Sequence, residues 1–134
     1  MKNQNKISVI GGGLAGCEAA YQISKLGIDV DLYEMRPNTK TEAHNTEYLA
    51  ELVCSNSFRS DDKEYNAVGV LHEELRMSDS LIMKTADLNK VPAGSALAVD
   101  RDDFAKEINN TIKSNSKIKI INKEIKDLDE FRRQ

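Results

Sequence analysis

A chain of 134 residues that is 40% hydrophobic and 31% charged has material for one globular domain, shows no evident second one and is not composed like a disordered segment. Its formal net charge of −3, with acids and bases interspersed, offers no polyanion-binding surface in bulk, which counts against nucleic acid on charge alone. The apolar run from Ile7 to Ala15 is too short to span a bilayer and ends in no cleavage-site pattern, so a cytoplasmic protein is expected. Cys17 and Cys54 form neither a disulfide framework nor a metal-ligand cluster and are expected to be free thiols.

Ile7 to Ile10 is a β-branched run stopped by three glycines, which predicts a buried parallel strand. Ala15, Ala19, Ala20, Ile23 and Leu26 then recur at helical spacing, and Gly27 stands where a left-handed residue ends a helix. Ile28, Val30, Leu32 and Tyr33 predict a second strand, and the short connection favours a crossover back beside the first. Together these make a βαβ unit over residues 6–35. Residues 36–66 dissolve into Pro, Asn, Thr, His and Ser and read as an ordered loop region, with only Tyr48 to Val53 offering a brief apolar stretch. Val68, Leu71, Leu75, Leu81 and Ile82 predict one amphipathic helix over residues 66–86. Residues 91–99, with Pro92 and Gly94, predict an irregular extended segment. Asp100 or Asp102 is suited to cap a helix over residues 102–114, and Ile118 to Ile121 predicts a strand over 118–122. The tail shows no commitment. A three-stranded parallel sheet is small for this architecture and needs both faces covered, so the chain looks truncated.

The sequence GGGLAG places Gly11-x-Gly13-x-x-Gly16 between the first strand and the helix. Gly11 permits the tight turn, Gly13 lets the backbone approach a pyrophosphate, and Gly16 lets the helix press on the strand. The N–H groups around Gly11, Gly12, Gly13, Leu14, Ala15 and Gly16, at the positive end of the helix dipole, then meet the negative charge. Glu34 follows Gly16 by 18 residues, where a carboxylate accepts a ribose hydroxyl and repels the extra phosphate of NADP. NAD and FAD share this fingerprint. Its position near the start favours FAD, by analogy with flavoproteins that bring their FAD-binding fold first. The fold class expected is therefore α/β, the N-terminal part of a Rossmann-like FAD-binding domain with a small parallel sheet.

The blocks VIGGGLAGCEAA, LYEMRP, AELVCSNSFRS and NAVGVLHEELRMSDSLIMKTADLNKVPAGSALAVDRDDF, running through residues 7–105, resemble the bacterial FAD- and folate-dependent tRNA (uracil-5-)-methyltransferases. Many flavoproteins share the first block, whereas ELVCSNS and VPAGSALAVDR are specific. The resemblance implies a reaction in which NADPH reduces FAD, methylenetetrahydrofolate supplies a one-carbon unit, and a methyl group ends on C5 of a uridine in tRNA. Members are much longer, so this chain reads as an N-terminal fragment, inactive by itself and binding FAD weakly or not at all. The related flavoproteins that install aminomethyl-type groups on tRNA wobble uridines are the alternative enzyme, and a non-catalytic dinucleotide-binding module is the alternative outside enzymes.

A thiolate adding beside uracil C5 would make that carbon nucleophilic, and the resemblance puts Cys54 in the place of a motif cysteine, with Asn56 and Ser57 as polar neighbours. The other reading of Cys54 is a small thiol that only packs. Cys17 is expected to pack. His44 is open between a substrate or phosphate contact and a solvated side chain, and His72 is expected at the surface. Arg101 either reaches the cofactor or pairs with Asp100, Asp102 or Asp103, the structural role being favoured.

Overall fold

In the computed structural model, which describes residues 6–132, two small sheets share one core. The first is parallel, with order β1 (Lys6–Ile10), β2 (Asp29–Glu34), β6 (Ile118–Asn122), and its register pairs Val9 with Leu32 and Leu32 with Ile120. Helices α1 (Leu14–Lys25) and α4 (Arg101–Ser114) cover the face that carries Val30, Leu32 and Ile118, contributing Cys17, Ala20, Phe104, Ile108 and Ile112 to the core. On the other face, Phe131 of a short 3₁₀ turn (Leu128–Phe131) meets the Tyr33 ring edge-on at 5.4 Å. The α/β class and the small parallel sheet therefore hold, but β1 is not the buried strand expected, because it forms an edge of the sheet and leaves Ile7 and Ile10 exposed. Among the described residues no helix is long and apolar enough to cross a membrane.

The second sheet was hidden in segments expected to be loop or irregular chain. β3 (Ser57–Ser60) pairs antiparallel with β5 (Ala96–Val99), which pairs in turn with β4 (Lys90–Val91). These strands have four, four and two residues, too few to display a period, and β3 is broken by a bulge with Arg59 at φ +71°. Phe58 carries the sheet onto the core, its ring 5.6 Å from that of Phe104.

The single helix expected over 66–86 is two helices, α2 (Ala67–Met77) and α3 (Leu81–Leu88). Asp79 takes a left-handed φ of +56°, and the Ser80 hydroxyl then accepts from Met83 N–H at 3.1 Å as a new N-cap. Glu18 of α1 completes the break. Its carboxylate accepts from the Ser80 hydroxyl at 2.7 Å and from the N–H groups of Leu81 and Ile82 at 3.0 and 2.9 Å. A negative charge thus sits on the N-terminus of α3, where free N–H groups and the helix dipole favour it. Burial pushes the Glu18 pKa up, but hydrogen bonds from Gln22, Ile82, Ser80 and Leu81 outweigh it and hold the carboxyl below its ordinary value.

Candidate functional site

The turn from β1 into α1 is built by glycines with different surroundings. Gly11 has φ +100°, a backbone that side chains rarely adopt, and its N–H donates to Tyr33 O at 2.8 Å, fastening the turn to the end of β2. A Cβ on Gly16 would stand 1.7 Å from Gly11 O, so α1 lies directly against the turn. At Gly13 a Cβ would meet nothing within 4 Å, so the chain is open there toward solvent.

Gly13 is also the N-cap of α1 and supplies no side-chain cap, whereas Asn66, Ser80 and Asp100 cap α2, α3 and α4. The leading N–H groups of α1, at Leu14 and Ala15, are thus left without a capping side chain beside an open glycine, the arrangement that receives an anion.

A cleft of about 340 Å³ opens at this turn, lined by Gly11, Gly12 and Gly13, by Glu34 at the end of β2 and Arg36 just beyond it, and by His44, Glu51 and the 123–125 segment. Glu34 is buried in its wall. Its Oε2 accepts from Gly12 N–H at 3.0 Å and more distantly from Arg36 Nη2 at 3.4 Å, while Oε1 accepts from Arg36 N–H and Nε, both at 2.9 Å. Burial pushes the Glu34 pKa up, but Arg36 and the Gly12 N–H outweigh it and hold the group ionised, below its ordinary value. Gly12 has no room for a side chain, since a Cβ would fall 2.5 Å from Leu49 Cδ2 and 2.6 Å from Glu34 Oε2.

The sequence reading missed Arg36 and Glu51. Arg36, only 3% exposed, donates from Nη1 to Glu51 Oε2 at 3.0 Å, and Glu51 Oε1 accepts from the N–H groups of Asn45 and Thr46 at 2.9 and 3.0 Å. Arg36 was visible as the basic residue two places after Glu34. Nothing local marked Glu51, because its partners lie in a loop without a period.

The remaining candidates fall in different places. Cys17 is fully buried, its Sγ 3.4 Å from Gly12 O, and burial together with the Glu34 charge pushes its thiol up to about 12. Cys54 is exposed in this chain and does not line the glycine cleft. Arg101 donates to the Cys54 carbonyl at 3.4 Å and has no ion pair with Asp100, Asp102 or Asp103 among the described residues, because Asp100 caps α4 instead. His44 lines the cleft, with Nδ1 2.8 Å from Thr41 Oγ1. His72 is not at the surface: it is 5% exposed, with Nδ1 2.9 Å from Asp61 Oδ1. The cause is Gly69, one turn earlier on the same face, which lets α2 approach so closely that a Cβ there would lie 2.3 Å from the Asp62 backbone. Among the described residues no group of three or more His, Cys, Asp or Glu side chains is arranged to hold a metal.

The chain is 60% identical over 129 residues to the methylenetetrahydrofolate--tRNA-(uracil-5-)-methyltransferase TrmFO of Bartonella henselae, covering 96% of this chain and 28% of that protein. It is 58% identical over 126 residues to the protein of the same name from Rhizobium meliloti, covering 94% of this chain and 27% of the relative. The chain thus spans little more than a quarter of the length of these curated relatives. Among solved structures, Aquifex aeolicus GidA in its form II crystal superposes with a TM-score of 0.67 at 16% identity, over 87% of this chain and 19% of that one, a likeness of fold. The family described as "Glucose inhibited division protein A" matches residues 6–133, nearly the whole chain and all of the glycine cleft, and the chain belongs to that family.

Proposed function

We propose that this chain is the dinucleotide-gripping part of a cytoplasmic flavoenzyme that methylates C5 of a uridine in tRNA, with FAD as its cofactor and methylenetetrahydrofolate and NADPH as co-substrates. One observation carries the reading: the uncapped N-terminus of α1 and the open Gly13 face the same cleft as the ionised Glu34. The names of relatives up to 60% identical supply the folate, the tRNA and the uracil position.

The backbone N–H groups of residues 11–16 are suited to hold the pyrophosphate, and the open space at Gly13 fits the close approach this requires. Glu34 Oε2, whose second contact is the long one at 3.4 Å, retains capacity for a ribose hydroxyl. Bound FAD supplies the electrons that take the one-carbon unit from the methylene to the methyl level. Cys54, exposed and outside the glycine cleft, is the candidate for the uracil side of the reaction, where a thiolate adding next to C5 makes that carbon nucleophilic.

The test is an ADP titration of the chain followed by amide chemical shifts, a readout that registers even weak binding. The shifts should concentrate at residues 11–16 and at Glu34 and disappear in Gly13→Val, with the remaining spectrum unchanged. Binding that survives Gly13→Val, or shifts elsewhere, would overturn the assignment. In a full-length relative, Cys54→Ala should abolish methyl transfer and keep the flavin.

A further inference from the structure

At the end of the second strand of a dinucleotide fold, an acidic residue selects an unmodified adenine ribose, whereas an arginine nearby accommodates a 2′-phosphate. This chain has both, Glu34 and Arg36, in the wall of one cleft. Glu34 therefore cannot set the choice by itself, because a guanidinium beside it offsets its charge. The third member of the cluster decides. Glu51 accepts from Arg36 Nη1 at 3.0 Å, while Glu34 takes Nε at 2.9 Å and Nη2 at 3.4 Å. With two carboxylates and one guanidinium the cluster carries net negative charge, and each of the three guanidinium nitrogens already has a carboxylate partner.

Glu51 is itself held in place. The N–H groups of Asn45 and Thr46 fix its Oε1, and the next residue back, Ala50, is buried at φ +54° with its N–H donating to Gly12 O at 2.8 Å. Its carboxylate thus reaches Arg36 from a segment anchored to the glycine turn. Lys123, which also lines the cleft, is paired with Glu130.

We propose that Glu51 is a specificity-determining residue of this site: by occupying Arg36 it closes the site to an adenine ribose bearing a 2′-phosphate and leaves Glu34 to receive the unmodified ribose. The proposal rests on the dinucleotide reading given above. It also supplies a reason for the third charge, since a site meant for FAD in an enzyme that consumes NADPH meets both kinds of ribose.

The experiment compares ADP-ribose with 2′-phospho-ADP-ribose as ligands of the chain and of two variants. The unmodified chain and Glu51→Asp should prefer ADP-ribose. Glu51→Gln removes one negative charge next to the phosphate site and loosens the hold on Arg36 Nη1, and should move the affinity ratio toward the 2′-phosphorylated ligand by about tenfold or more. A residue that only supports the fold would weaken both ligands alike. An unchanged ratio in Glu51→Gln overturns the proposal and leaves the dinucleotide reading standing, whereas failure of the unmodified chain to bind either ligand overturns that reading as well. One measurement needs no variant: the Arg36 Nε–H resonance of the unmodified chain should stay in place when 2′-phospho-ADP-ribose is added. A shift there would put the phosphate on Arg36 despite Glu51, and the proposal would fall.

Discussion

Placing one methyl group at each of three glycines should separate folding from binding. At Gly16 the new Cβ stands 1.7 Å from a backbone oxygen of Gly11, itself tied to β2 through Tyr33 O, so neither side can yield locally and α1 must lift off β1. Overpacking of this kind costs ~3 kcal/mol or more, against which the better helix propensity of alanine returns only ~1 kcal/mol. At Gly12 the obstacles are Leu49 Cδ2 at 2.5 Å and Glu34 Oε2 at 2.6 Å, both ends of side chains, and the cost should be intermediate. At Gly13 nothing lies within 4 Å and the backbone, φ −78° and ψ −167°, suits any residue, so Gly13→Ala should cost only the ~1 kcal/mol or less by which alanine is the poorer N-cap. For a domain of this size a net loss of ~2 kcal/mol lowers Tm by roughly 6–10 °C. Thermal unfolding followed by circular dichroism at 222 nm should therefore rank Gly16→Ala below Gly12→Ala and leave Gly13→Ala the nearest of the three to the unsubstituted protein. ADP binding should nevertheless be lost in Gly13→Ala. A Gly13→Ala chain that melts as early as Gly16→Ala, or one that binds ADP unchanged, refutes the division of roles among the three.

Thiol titration should distinguish the two cysteines without mutation: Cys54 reacts at once with a disulfide reagent at neutral pH, while Cys17, buried with its thiol pushed up to about 12, reacts only on unfolding. Two fast thiols in the folded protein would contradict the packing of Cys17. Acid should destabilise the chain through Glu18, Glu34 and Asp61, which are held below their ordinary values of 4.5, 4.5 and 3.8 because hydrogen bonds and neighbouring charges outweigh burial. Each binds its proton more weakly folded than unfolded, so their contribution is full above the ordinary value and is lost as pH falls through the folded one. The urea midpoint should decline from about pH 5 downward, and a flat or rising profile there would contradict the assignment. Glu18→Gln should shallow that decline and cost about 1 kcal/mol at neutral pH, since the amide can still accept from the α3 N-terminus but carries no charge toward it.

What was legible in the sequence was what depends on neighbours. Ala20 and Ile23 mark the packing face of α1, Phe104, Ile108 and Ile112 that of α4, and Val30 and Leu32 the core face of β2, because helical and strand periods are local. The glycine turn was legible for the same reason. The break between α2 and α3 was not, since Leu75, Leu81 and Ile82 continue an apolar stripe across it and the carboxylate that joins Ser80 at the N-terminus of α3 comes from Glu18, more than 60 positions away. The pairing of β3 with β5 joins residues about 40 apart through strands too short to show alternation.

The acids missed in the sequence have one physical cause. Nothing in the sequence singled out Glu18, Glu51 or Asp61, because a carboxylate announces nothing about its partners. In the fold each accepts hydrogen bonds from distant groups: the N-terminus of α3, the guanidinium and loop N–H groups beside Glu34, and His72 with Arg76. An apolar residue reveals its environment through its period, since burial repeats with the geometry of the element. A buried acid reveals its environment only through the donors that compensate it, and those come from other parts of the chain. The same logic explains why Glu34 was found and Glu51 was not. Glu34 stands at a fixed distance from the glycines within one βαβ unit, whereas Glu51 reaches the same cleft from a loop whose path is set by Ala50 N–H on Gly12 O and by Leu49 N–H on Asn109 Oδ1.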